Sequence, residues 1–145
     1  MKPAVVAAAL VFAASAEELR ARLRRWERRF QNANAERTLK ALRSDWQQFY
    51  GWCERAGVRP VPVSTHDLLR FLDDMATMGR RGATIKRYLY SIREVHKGAQ
   101  APDPTAHPDW ALEWKGILRR LKDARRLVSR QTMPLFSDAV QQILK

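Results

Sequence analysis

The sequence contains little cysteine, little histidine and fewer acidic than basic side chains. Its single cysteine, Cys53, cannot form an internal disulfide, and its three histidines belong to no cluster with metal-ligand spacing. Asp and Glu number 15 against 27 Lys and Arg, which leaves a formal net charge of +12 over 145 residues. A charge excess of this size and sign attracts polyanions such as phosphate backbones or anionic lipid. The length suits one domain with a single core.

The first sixteen residues, MKPAVVAAALVFAASA, form a short apolar leader. Lys2, the apolar run 4–14 and the small residues 14–16 follow the layout of a secretory signal peptide, although the basic region is thin. The run is too short to span a bilayer. The alternatives are a disordered alanine-rich leader or an early start codon ahead of a cytoplasmic domain. The leader therefore leaves export open as the lesser alternative.

The rest of the chain shows helical periodicity and no strand-like alternation. Apolar residues recur every three to four positions in five stretches separated by glycine, proline or polar breaks, which predicts an all-α domain. The predicted helices lie at about 16–31, 35–55, from a capping sequence at 64–67, at 83–97, and from residue 108. The aromatic stripes of the first, second and fifth helices are assigned to the core.

The fourth predicted helix combines an apolar face with a basic one. Ile85, Leu89, Ile92 and His96 share one face. The opposite face bears Lys86, Arg87, Tyr90, Glu94 and Lys97. Together with the hydroxyl groups of Thr84 and Ser91, this face offers the mixture of charge and hydrogen-bonding groups that suits phosphates and base edges. A charged helix face is, however, more often simply solvated.

The sequence contains no recognisable catalytic constellation. His66 lies in a predicted helix cap, His96 on an apolar face and His107 in a loop, and none has an acidic or nucleophilic partner in a known arrangement. The sequence therefore predicts no catalytic residue, no metal, no cofactor and no small-molecule substrate.

Four segments, in this order and spacing, resemble the amino-terminal core-binding domain of tyrosine recombinases of the phage-integrase family, in particular its Cre-like branch. The segments are RTLKALRSDWQQFYGWC, VPVSTHDLLRFLDDMA, GATIKRYLYSIREVHK, and PDPT followed by GILRRLKDARR. The resemblance covers about residues 37–126. It implies a SAM-like bundle of four to five helices that clamps one side of duplex DNA. In the family a separate carboxy-terminal domain clamps the other side and cuts with a tyrosine nucleophile.

The resemblance also implies a division of the chain. A leader at 1–16 would precede the DNA-binding domain at 17–127, an interdomain linker at 128–136 and the first helix of a catalytic domain at 137–145. The family's catalytic residues belong to that later domain, so this chain by itself is not expected to cut DNA. The expected function is double-stranded DNA binding in site-specific recombination and integration, in the cytoplasm on nucleoid DNA.

The predicted DNA contacts come from the second and fourth helices, which cross the major groove in the family. The matching outward positions are Thr38, Lys40, Ala41, Ser44, Thr84, Arg87 and Ser91. Periodicity also places Arg37 and Gln48 opposite the apolar stripe of the second helix. Further basic and polar groups complete the predicted surface: Arg80, Arg81, Lys86, Tyr90, Arg119 and Arg120. Arg87, with Lys40 or Ser44, is expected to read base edges, and the other cations to contact phosphates.

Two departures and two alternatives accompany this interpretation. Ala83 and Asp103 stand where Cre-like proteins carry basic residues, and Arg80 and Arg81 are the expected substitutes. A stand-alone, integrase-derived accessory DNA-binding protein would share the same sequence up to Arg126. An exported basic helical protein is the other alternative, and it rests on the leader. In the family neighbouring subunits meet on DNA, and the first and fifth helices are the expected contact surfaces.

Overall fold

The computed structural model describes residues 15–125, which form five helices. These are α1 (Ala16–Ala33), α2 (Glu36–Ala56), α3 (Thr65–Thr77), α4 (Gly82–Gly98) and α5 (residues 110–125). No strand occurs among residues 15–125, so the predicted all-α class is confirmed. The predicted linker and first helix of a further domain lie outside the described residues, as does nearly all of the leader. Within the described range no helix has the length and apolar character needed to cross a bilayer.

The helix ends follow from local sequence. The hydroxyl oxygen of Ser15 accepts from the Glu18 amide at 3.2 Å, and that of Ser64 accepts from the Asp67 amide at 3.0 Å, which satisfies amides that α1 and α3 leave unpaired. Gly57 ends α2 in the left-handed region at φ 69°, which a glycine adopts without strain. The predicted cap at Ser64 and stop at Gly57 are therefore confirmed, while α5 begins two residues later than predicted.

The main core lies between α2, α3, α4 and α5. Phe49, Phe71 and Ile85 are fully buried there, and the rings of Phe49 and Phe71 meet edge to face with centroids 5.0 Å apart. Trp110 and Ile117 bring α5 onto the same cluster. Burial of each such side chain contributes about 1.5–3 kcal/mol, so this cluster fixes α4 against α2.

A second cluster attaches α1 to the bundle. Phe30 is its buried residue on α1, and it packs with Leu39 and Leu42 of α2 and with Val95 near the end of α4. Leu19, Leu23 and Trp26 pack against the same cluster while half-buried, as their helical spacing predicted. The carboxyl-terminal part of α4 thus serves as the docking platform for α1.

His96 joins α4 to the segment between α2 and α3. Its Nδ1 lies 2.8 Å from the Ile92 carbonyl oxygen, and its Nε2 lies 3.1 Å from the Val63 amide nitrogen. Because the carbonyl can only accept, Nδ1 carries the proton and Nε2 accepts from Val63. The ring is 1% exposed, and burial lowers the pKa of His96, which favours this neutral form. The predicted position of His96 on the core face is confirmed.

Candidate nucleic-acid interface

The outward face of α2 carries most of the side chains that the sequence placed there. Leu39, Leu42 and Phe49 turn into the two clusters, so most of the positions between them face solvent. The exposed members are Arg37, Thr38, Lys40, Ser44 and Gln48, and Ala41 is half-buried. None of these six side chains forms an ion pair or hydrogen bond with another described residue. Their outward orientation agrees with the prediction, and their contact with DNA stays a prediction.

The face of α4 beside α2 carries the second set. Ile85, Tyr88 and Ile92 are buried on the core side of α4. The opposite side exposes Lys86, Arg87 and Tyr90, with Thr84 half-buried and with Arg80 and Arg81 exposed in the turn before the helix. The N-cap position of α4, Arg81, gives no side-chain hydrogen bond, and no acidic residue lies in the first turn. The positive end of the α4 dipole is thus flanked by cations, an arrangement that favours an anion.

Ser91 corrects the predicted surface, because it is buried. Its side chain is 1% exposed, and its hydroxyl donates to Oδ2 of Asp45 at 2.7 Å. The prediction that Ser91 faces outward is wrong, since this turn of α4 lies against α2 and the hydroxyl meets a carboxylate there. Ser91 therefore has a partner inside the protein.

Asp45 is the residue that sequence reasoning missed. Its carboxylate is 1% exposed and accepts from Arg87 at three distances, 3.1 Å and 3.1 Å from Nε and 2.9 Å from Nη2. A buried carboxylate is stable only when a counter-charge and hydrogen bonds compensate for its lost hydration. A signal was available, since Asp45 lies three residues after Leu42 and four before Phe49, on the apolar stripe of α2.

One edge of the Arg87 guanidinium therefore contacts Asp45, and the other edge faces solvent. The hydrogen bond to Asp45 raises the pKa of Arg87, although burial opposes this, so the guanidinium stays charged. Its side chain is still 52% exposed, and Nη1 forms no hydrogen bond with any residue in the described range. Nε and Nη2 hold the planar group against α2. The remaining edge is available to a ligand and is fixed in orientation, which suits a bidentate contact.

Arg120 has a partner within the protein, and the contact of Arg119 and Arg120 with DNA stays a prediction. Arg120 Nη2 lies 2.7 Å from Oδ1 of Asp73, so this pair joins α5 to α3, and no described contact joins either arginine to α2 or α4.

Asp103, which departs from the family pattern, has local partners in the loop before α5. Burial alone would raise the pKa of Asp103, but hydrogen bonds from Thr105 and the charge of Arg93 hold it below its usual value. Asp103 thus stabilises the loop before α5.

The described residues bring together no three potential metal ligands. A cavity of about 630 Å³ lies between α3 and α5 and includes His66 and His107 in its wall. Among its lining groups, Arg120 pairs with Asp73, and Nδ1 of His107 lies 3.6 Å from Oδ2 of Asp109.

Comparison with known proteins gives one informative relative. No protein-family model matches the chain. A stretch of 73 residues, 50% of the chain, is 33% identical to an integrase/recombinase XerD homologue of Selenomonas ruminantium. The chain spans 21% of the length of that protein. This partial similarity supports the relationship to the tyrosine-recombinase family that the four sequence segments indicated.

Proposed function

We propose that the chain binds double-stranded DNA as the amino-terminal core-binding clamp of a site-specific tyrosine recombinase, of the Cre-like branch, while a carboxy-terminal domain cuts the strands. The observation that carries the proposal is the contact between Arg87 of α4 and the buried Asp45 of α2, which holds the half-exposed guanidinium of α4 against α2. Exposed side chains from both helices thereby form one basic and polar surface, here called the α2–α4 surface. In the cell this surface would act in the cytoplasm on nucleoid DNA.

The α2–α4 surface offers two kinds of contact. Phosphate contacts would come from the cations that have no partner within residues 15–125, namely Arg37, Lys40, Arg80, Arg81 and Lys86. Base contacts would come from Arg87, whose orientation is fixed from behind by Asp45, with Ser44 beside it. Phosphate contacts would set the position of the protein on the duplex, and the base contacts would select the sequence.

Salt-dependent gel shifts test the proposal. The full chain should retard a random-sequence duplex of about 30 base pairs at low salt, with an affinity that falls steeply between about 50 and 200 mM salt. Lys40→Ala should weaken binding to all duplexes and reduce the salt slope by about 1. Arg55→Ala is the matched control, because Arg55 is exposed at the far end of α2. Absence of any shift at low salt would contradict the proposal.

Arg87→Ala needs a companion variant, because it also leaves the Asp45 carboxylate buried without its counter-charge. Asp45→Asn/Arg87→Ala removes the guanidinium and the buried charge together. Duplexes selected by the wild-type chain from a random pool should lose about 1–3 kcal/mol of binding free energy with this double variant, while unselected duplexes lose much less. Equal loss on selected and unselected duplexes would make Arg87 a phosphate contact.

A further inference from the structure

The outer face of α1 carries a second concentration of positive charge. Trp26 turns toward the second cluster, and Arg24 and Arg28 lie two residues before and after it, on the opposite side of the helix. The exposed arginines of this face, called the α1 outer face below, are Arg20, Arg24, Arg25, Arg28 and Arg29. None of the five forms an ion pair or hydrogen bond within residues 15–125. Arg22 is different, because it reaches Glu18 and the carbonyl oxygen of Ala99.

The spacing of these arginines works against the helix. Arg20 and Arg24, Arg24 and Arg28, and Arg25 and Arg29 are each four residues apart, where like charges repel and destabilise a helix. Two of the three acids on α1 are engaged elsewhere, because Glu18 pairs with Arg22 and Glu27 pairs with Arg43 of α2, and the third, Glu17, lies in the first turn, far from Arg25, Arg28 and Arg29. A face that is merely solvated gains nothing from this arrangement, since alternating charges would keep it equally soluble without repulsion. A bound polyanion would remove the repulsion.

The α1 outer face also has a shape that admits an anion. A shallow groove of about 550 Å³ is lined by Ala21, Arg24, Arg25, Glu27, Arg28 and Gln31. The small side chain of Ala21 leaves space among three guanidinium groups, each of which can bind a phosphate through two N–H groups. The outer face has no large apolar side chain, so it lacks what a helix needs to enter a membrane interface. The groove therefore suits a phosphate backbone better than a bilayer.

We infer that the α1 outer face binds the phosphate backbone of duplex DNA without reading its sequence. The inference rests on the proposed DNA-binding function and adds a second contact region to it. α1 docks at the carboxyl end of α4, where Trp26 contacts Gly98, whereas Arg80 and Arg81 mark the amino end. These ends are roughly 25 Å apart along α4, and the base-reading Arg87 lies roughly 16 Å before Gly98. The α1 outer face thus supplies affinity at a place separate from the base-reading part of the α2–α4 surface.

Arg24→Gln/Arg28→Gln tests the inference in the full chain. The probe is a random-sequence duplex of about 30 base pairs, titrated across a range of salt concentrations. The variant should lose about tenfold or more in affinity at low salt, and its salt slope should fall by about 2. Its preference among duplexes selected by the wild-type chain should not change. Its melting temperature should be unchanged or slightly higher, because two like-charge pairs are relieved, so misfolding cannot explain the loss.

Arg55→Gln/Arg59→Gln is the matched control, since it removes the same charge from exposed positions in the last turn of α2 and in the connector just after it. Equal losses in the control and the α1 variant would overturn the inference, because only net charge would then matter. If the α1 variant binds duplex as tightly as wild type while Lys40→Ala binds it more weakly, the inference is overturned and the proposed function stands. A wild-type chain that binds no duplex would overturn both. Two further results would overturn the inference in favour of another partner. One is that the wild-type chain sediments as a dimer without DNA and the α1 variant as a monomer. The other is that the wild-type chain binds anionic phosphatidylserine vesicles through these arginines and the variant loses vesicle binding while it keeps duplex binding.

Discussion

The guanidinium of Arg87 covers the buried carboxylate of Asp45, and the two groups meet at distances of 2.9 to 3.1 Å. The carboxylate is enclosed, whereas the arginine side chain is half in solvent. Ser91 completes the arrangement from the buried side. One arginine therefore stabilises the packing of α4 on α2 and also forms part of the α2–α4 surface. Stability and binding cannot be varied independently at Arg87 unless Asp45 is changed with it.

Arg87→Ala should destabilise the fold more than Asp45→Asn does. Removing Arg87 leaves a buried negative charge without compensation, at a cost of about 3 kcal/mol. Asp45→Asn removes the charge and keeps an oxygen that can accept from Ser91, so it should cost about 1–2 kcal/mol. The double variant Asp45→Asn/Arg87→Ala should lose about 1–3 kcal/mol less free energy of unfolding than the sum of the two single losses. Urea unfolding of the four proteins measures this coupling, and additive effects would show that the pair contributes nothing as a pair.

The Asp45–Arg87–Ser91 arrangement also shows what the sequence could and could not predict. Helical periodicity correctly predicted the burial of Ile85, Ile92 and His96, because a repeating apolar pattern defines the face that a helix turns to the core. Asp45 and Ser91 were assigned to the surface or overlooked because polar residues are usually exposed. Their burial depends on a partner more than forty residues away in the chain, and local pattern holds no information about such contacts.

The placement of α1 shows the same limit. Its apolar stripe was predicted correctly, but the stripe does not show where the helix docks. The docking position depends on Gly98, which sequence reasoning did not single out. A Cβ atom built at Gly98 would lie 2.3 Å from the indole ring of Trp26, so the absence of a side chain at Gly98 lets the ring approach the α4 backbone. Close approach of this kind is decided by tertiary packing.

Gly98→Ala should therefore destabilise the attachment of α1. Overpacking against a rigid indole costs about 1–3 kcal/mol, which exceeds the gain of about 1 kcal/mol that alanine brings to a helix. Thermal unfolding followed by circular dichroism should show a lower melting temperature. In a Trp26→Ala background the clash disappears, and Gly98→Ala should become neutral or stabilising.

Gly116→Ala is the control for this prediction. Its added Cβ would meet only the end of the flexible Arg120 side chain, at 3.8 Å, so it should be neutral or stabilise the protein by up to about 1 kcal/mol. Similar melting temperatures for Gly98→Ala and Gly116→Ala would contradict the docking of Trp26 on Gly98.

The stability of the fold should decrease at mildly acidic pH because of His96. Burial lowers the pKa of His96 in the folded protein, so the unfolded chain binds a proton more readily than the folded one. Its stabilising contribution is fully present above the unfolded pKa of about 6.5 and is lost as the pH falls from there through the folded value. A protonated Nε2 can no longer accept from the Val63 amide. The nearby Asp103 carboxylate opposes the loss but does not reverse the direction.

Urea unfolding between about pH 8 and pH 5 measures this dependence. His66→Gln, which changes an exposed histidine, should retain the full decline. His96→Gln should be less stable at neutral pH and should lose most of the decline in this range. Asp103 affects stability in a separate pH range. Because its pKa is lowered in the folded protein, its stabilising contribution is lost only as the pH falls below about 4. An identical pH profile for wild type and His96→Gln would contradict the assignment of the neutral, accepting ring.

Cys53 should be unreactive in the folded protein, and this makes an added thiol a clean probe of the α2–α4 surface. Burial raises the pKa of Cys53 to about 12, with a further contribution from the charge of Asp67, so only about one molecule in ten thousand carries the thiolate at pH 8. An aromatic disulfide reagent should therefore modify wild type only after denaturation. Ser44→Cys places a second thiol at an exposed position of α2, and it should react rapidly without denaturant.

Duplex DNA then distinguishes a contacted position from an exposed one. If the α2–α4 surface lies on DNA, saturating duplex at low salt should slow modification of the Ser44→Cys thiol by about tenfold or more, and added salt should restore the rate as binding weakens. Ala56→Cys is the matched control, because Ala56 is exposed at the carboxyl end of α2, roughly 18 Å along the helix from Ser44. Its rate should not depend on DNA. Equal protection at both positions would indicate a non-specific effect of DNA, and no protection at position 44 would remove α2 from the interface.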